Sequence, residues 1–146
     1  MNPRDFLVLA EEWVVELREA EWRSAVSRAY YAVFHVAREL FQRCGFVVSQ
    51  GDQAHRYLWI RLANSGHPTI QRAGNDLNFL RRRRNWADYE FGSALSQHDA
   101  MNDVAAAADV IRTLDSLLTL PHILAQITAS MRNYERNVLG DETWRP

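Results

Sequence analysis

The chain has 146 residues, 47% hydrophobic and 24% charged, with a net charge of −1; that balance excludes a disordered chain and fits one domain with its own core. No apolar run reaches membrane-span length, and a single cysteine, Cys44, excludes an internal disulfide and points to a reducing compartment. The early acidic residues of MNPRDFLVLAEEW do not fit a signal peptide, so the expected setting is cytoplasmic.

Helical periodicity dominates, and no stretch alternates like a strand. A first helix is expected over about 3–18, opened by Pro3 at an N1-like position. A second runs from about 22 to 43 and stops at Gly45, a natural residue just past a helix end. After the loop Gly45 to Asp52, a third spans about 53–64 and is stopped by the turn Asn64-Ser65-Gly66-His67-Pro68. A fourth covers about 68–91, closed by Gly92. Ser96-Gln97-His98-Asp99 resembles a capping box and opens a fifth over about 97–119. Pro121 interrupts it, and a last helix reaches about 138. The expected architecture is all-α: an up-and-down antiparallel bundle of about five to six helices, one domain over 1–138, with a loose tail over 139–146.

The near-zero net charge conceals segregation. All 17 basic side chains are arginine. Segment 53–87 carries Arg56, Arg61, Arg72 and Arg81 to Arg84 against Asp76 alone, while the flanks are acidic. Arginine's planar fork suits phosphate recognition; pairing with the acidic flanks is the competing use.

Two helices place polar groups unusually. On the second, a broad apolar arc implies a central helix, and Ser24, Arg28, Tyr31, His35, Arg38 and Gln42 fall in a stripe within about 80°. That stripe is either a solvent edge or the border of a cleft holding Arg28, Tyr31 and His35. On the fourth, Ile70, Ala73, Leu77, Leu80, Ala87 and Phe91 form an apolar stripe that also contains Arg84. Arg82 and Arg83 point away toward solvent, and Arg81 lies at the margin. Asp88, one turn on, is the expected ion-pair partner of Arg84. Asn85 and Tyr89 occupy the adjacent polar face, where they can bond or stack on a nucleotide. No metal set or phosphate-binding glycine loop is present at motif spacing. No cofactor is therefore expected.

Two segments, SRAYYAVFHVAREL (Ser27 to Leu40) and RNWADYEF (Arg84 to Phe91), together resemble the HEPN family of prokaryotic helical domains, in the branch reading Arg-x-x-Ala-Asp-Tyr. His55 also falls where that branch often has histidine, and the resemblance covers most of residues 5–120. It implies an up-and-down bundle, commonly a homodimer. Enzymatic members are metal-independent ribonucleases with an Arg-Asn-x-x-x-His motif, in which the ribose 2′-OH attacks, arginine stabilises phosphate charge and histidine moves protons. Many are toxins or defence effectors encoded beside a nucleotidyltransferase antitoxin, and some such antitoxins adenylylate a tyrosine two residues after that histidine. Here Arg84 and Asn85 match the motif, Tyr89 stands at the histidine position and Phe91 at the modified tyrosine. Tyrosine, with an unperturbed pKa of about 10, is a poor neutral-pH substitute for imidazole.

Three readings follow. In the first, a homodimeric module binds RNA or a nucleotide through Arg28, Tyr31, Arg81, Arg84, Asn85 and Asp88, beside a nucleotidyltransferase partner and without a membrane. In the second, Arg84, Asn85 and Tyr89 form a ribonuclease site with a displaced histidine, His35 or His55. In the third, an Arg84–Asp88 pair locks a purely structural dimer or partner-binding bundle.

Overall fold

Six α-helices make up the chain in the computed structural model, which describes residues 1–146. They are α1 (Arg4–Val14), α2 (Glu19–Cys44), α3 (Gln53–Ala63), α4 (Pro68–Tyr89), α5 (Gln97–Ser116) and α6 (Pro121–Tyr134). A 3₁₀ turn, Leu117–Thr119, joins the last two, and α6 widens into a π-helical segment, Glu135–Leu139. No helix is long and apolar enough to cross a membrane. The architecture is the expected all-α bundle.

Helix α2 is central, packed by α1, α4 and α5, while α3 lies on α4 and α6 reaches α3. Its run of Ala25, Ala29, Ala32, Val33, Val36 and Ala37 is buried on several sides, and these small side chains let neighbours approach closely. The buried apolar residues form one continuous cluster from Ala10 to Met131, which makes this a single core.

The helix ends follow local chemistry. Helix α1 stops at Val14, short of the expected 18, and side chains from elsewhere take carbonyls at and just past its end: Gln97 donates to Val14 O at 2.9 Å and Trp22 Nε1 to Glu16 O at 2.8 Å. At the far end of α2, Gly45 adopts φ 99°, in the left-handed region. Phe46 N then reaches back to Phe41 O at 3.0 Å, the six-residue closure that satisfies an orphan carbonyl. Ser96 Oγ accepts from Asp99 N at 3.1 Å, as the capping pattern predicts.

Long-range polar contacts correct two expectations. Arg83, expected in solvent, donates to the buried Asp103 of α5 at 2.8 Å. The expected loose tail is tied down. Val47 N donates to Thr143 O, Arg145 N to Gly45 O at 2.7 Å, and Trp144 Nε1 to Cys44 O at 2.8 Å. The Arg132 guanidinium lies 3.6 Å from the Trp144 ring centroid. Beneath this strap, Arg61 and Glu135, 4% and 1% exposed, form a buried ion pair at 2.8 Å. Thr143 backs Glu135 through its amide at 2.9 Å and its hydroxyl at 2.5 Å.

Candidate functional site: a cationic aromatic cluster between α2 and α4

The polar stripe of α2 is half-buried from Ser24 to Arg38, with Gln42 exposed. Helix α4 runs alongside it, its C-terminal end fixed by Arg23 of α2, which donates to Ala87 O at 2.8 Å and Ser93 O at 2.5 Å. A cation bonded to the last carbonyls also favours the helix dipole. This clamp sets the rotation of α4 and turns Arg84 toward α2.

The Arg84 guanidinium carbon lies 5.2 Å from the Tyr30 ring centroid and 5.3 Å from that of Tyr31. Arg28 lies 5.0 Å from the same Tyr31 ring and 5.2 Å from Phe6. These separations fall within the range of cation–π attraction. The expected Arg84–Asp88 pair does not form: Asp88 accepts from Ser27 Oγ at 3.2 Å, bracing α4 against α2, while Arg84 turns onto the ring faces. None of the seven ion pairs in the molecule involves Arg28, Arg81 or Arg84. Arg84 Nε is buried and bonds to nothing within the chain. A buried donor of this kind typically costs about 1–3 kcal/mol; because Nε itself is closed to solvent, an external anion meets this guanidinium at its terminal nitrogens.

His55 enters the cluster from α3. Its ring stacks on Phe34 with centroids 4.5 Å apart, and Nδ1 lies 2.5 Å from Tyr30 Oη. Burial, ahead of the charge of Arg84, lowers the His55 pKa, with Asp52 opposing. Burial raises that of Tyr30, with Arg84 and Arg81 opposing, so the phenol keeps its proton. Tyr30 is a neutral phenol at this contact: it donates to Nδ1 when the His55 proton sits on Nε2, and accepts when the proton sits on Nδ1. Nε2 makes no bond within the chain and is not enclosed. His35 packs 6.3 Å from Tyr31 and 5.1 Å from Phe34, and its pKa is lowered by burial first and then by Arg38. Arg84 meets Tyr30, which carries His55 on its hydroxyl, and Tyr31, against which His35 packs; its charge also lowers the His55 pKa.

The remaining expected residues divide. Arg81 is held by Asn78 Oδ1 at 2.9 Å and still contributes positive charge at Tyr30 and His55. Asn85 is half-buried with its amide unused by the chain. Tyr89, at the motif's histidine position, is 72% exposed and stands outside the aromatic cluster. Tyr30 and Phe34 were read only as part of the buried arc. The signal for their role was the run Tyr30-Tyr31-x-x-Phe34-His35, whose i, i+4 spacing stacks two aromatic pairs on one side of a helix. No three His, Cys, Asp or Glu side chains are brought together in a geometry that could hold a metal ion.

The cluster thus presents unpaired guanidiniums, the half-buried Tyr31 ring and the His55 imidazole, with Tyr30 and Phe34 buried behind them. Such a set can hold an anion and stack a planar group. Comparison with known protein families, curated proteins and solved structures gives no match to this chain.

Proposed function

We propose that the chain is a HEPN-like module that binds RNA or a nucleotide in the α2–α4 cleft, as a homodimer, within a prokaryotic toxin–antitoxin or defence system that includes a nucleotidyltransferase. The observation that carries the reading is Arg84: a guanidinium with no carboxylate partner and a buried, unused Nε, set against Tyr30 and Tyr31. Arg28 doubles the charge beside Tyr31. A phosphate oxygen would accept from the Arg84 guanidinium and, in its Nε2–H form, from His55, and the half-buried Tyr31 ring would meet a neighbouring base.

The test is binding of fluorescently labelled single-stranded RNA, followed by anisotropy in chelator. Arg84→Ala should weaken binding about tenfold or more, the loss typical of a charged hydrogen bond. Arg82→Ala, an exposed arginine on the other side of α4, should leave binding within about twofold. Equal losses from both would reduce the interaction to general charge attraction.

The position of His55 beside Arg84 also favours a second reading, a metal-independent ribonuclease. The two histidines limit it. Both have lowered pKa values, so neutral imidazole dominates near pH 7 and little imidazolium is left to protonate a leaving 5′-oxygen. Cleavage by this site should therefore rise as pH falls below about 6.5 and should vanish in Arg84→Ala. Cleavage that persists in that variant belongs to another protein or another site.

A further inference from the structure

The aromatic cluster does not end at the guanidiniums. His35 lies 6.3 Å from Tyr31 and 6.2 Å from Phe6 of α1. Phe6 and His35 line a surface cavity of about 320 Å³, together with Met1, Pro3, Arg38, Glu39 and Gln42. That volume falls at the lower end of small-molecule sites, about 300–1,000 Å³. We propose that this cavity is a base-binding subsite for single-stranded RNA, taking a base with an exocyclic amine, which adenine, cytosine and guanine carry and uracil lacks. The proposal rests on the reading of the adjoining cleft as an RNA site.

Continuity comes from Arg28. Its guanidinium sits 5.0 Å from Tyr31, in the cleft, and 5.2 Å from Phe6, in the cavity. A strand whose phosphate rests on Arg28 and Arg84 would carry its next base to the Phe6–His35 wall. Single-stranded RNA is held in this manner elsewhere, with unstacked bases on Phe, Tyr or His rings. The rim is rigid on one side, because Arg38 Nη2 is committed to Ser49 O at 2.7 Å and Val48 O at 3.2 Å.

The rim also decides which base fits. Glu39 and Gln42 are both exposed there, free to meet a base edge. The Glu39 carboxylate disfavours a second phosphate at its edge of the rim, where a base edge fits better. Glutamate accepts from the amine of cytosine, and glutamine pairs with the amine and N7 of adenine. Uracil offers a carbonyl oxygen at the corresponding position, which Glu39 would repel.

The experiment compares labelled oligoadenylate and oligouridylate on the full chain, with inorganic tripolyphosphate as a base-free competitor. Oligoadenylate should bind about tenfold more tightly than oligouridylate. Glu39→Ala and Gln42→Ala, exposed changes that leave the core alone, should each narrow that gap. Phe6→Leu keeps apolar bulk but removes the ring, which also meets Arg28; it should weaken both oligonucleotides more than it weakens tripolyphosphate. Equal affinities for the two oligonucleotides, or a gap that survives both rim substitutions, would overturn the subsite while leaving the anion cleft standing. If neither oligonucleotide nor tripolyphosphate binds, the RNA reading itself falls and the subsite falls with it.

Discussion

Tyr30 determines what His55 can do. With the phenolic proton directed at Nδ1, the imidazole is a neutral Nε2–H donor, fit to hold a phosphate oxygen; with Nδ1–H donating to the phenol, Nε2 is an acceptor, and the RNA reading requires the first arrangement. Long-range nitrogen–proton NMR on histidine-labelled protein should show His55 protonated at Nε2 and bare at Nδ1, and Tyr30→Phe should mix the tautomers and raise its pKa. A pH dependence follows with a definite sign. The folded pKa values of His35 and His55 lie below the ordinary 6.5. Between the folded values and about 6.5 the unfolded chain binds protons that the folded chain refuses, so stability falls as pH is lowered through that window. Urea unfolding at about pH 7.5 and about pH 5.5 should show this drop, and His55→Gln should shrink it. An unchanged drop in that variant would mean that His55 titrates as it does in the unfolded chain.

At the scale of elements, the closest backbone approach is at Gly74 on α4. A Cβ there would stand 2.4 Å from Ala63 N and 2.8 Å from Leu62 Cβ on α3. Alanine in an exposed helix would gain about 1 kcal/mol over glycine. Here the clash outweighs that gain, and Gly74→Ala should destabilise by about 1–3 kcal/mol in denaturant unfolding, with α3 displaced. The C-terminal strap has a similar single point of failure. Glu135→Gln leaves Arg61 buried without its counter-charge and should cost about 3–5 kcal/mol, with faster amide exchange across residues 141–146. Arg136→Ala, which breaks the exposed pair with Glu142, should cost under about 1 kcal/mol. The helix spans were legible because periodicity, Gly45, Pro68, Ser96 and Pro121 are local signals. The partners of Arg83, Arg61 and Trp144 were not, because they lie 20, 74 and 100 residues away in the chain. A helical wheel gives the direction of a side chain, not what waits there. The same limit explains Arg84: its inward direction was readable, while its exchange of Asp88 for two tyrosine rings depends on Ser27 of another helix.

For the whole molecule, charge segregation written along the sequence becomes a division of labour in space. Arg4, Arg23, Arg61 and Arg83 are spent on holding elements together. Arg28, Arg81 and Arg84 are not, and they collect around the aromatic rings between α2 and α4. Unpaired positive charge at a half-buried site raises the local concentration of anions and loses that effect in salt. The most direct test is therefore the salt dependence of single-stranded RNA affinity for the wild type and Arg84→Ala. The wild-type logarithmic plot should fall linearly, with a slope near −0.7 for each phosphate neutralised, and Arg84→Ala should flatten that slope by about one phosphate contact. A wild-type affinity that ignores salt, or a slope that Arg84→Ala leaves unchanged, would contradict the account.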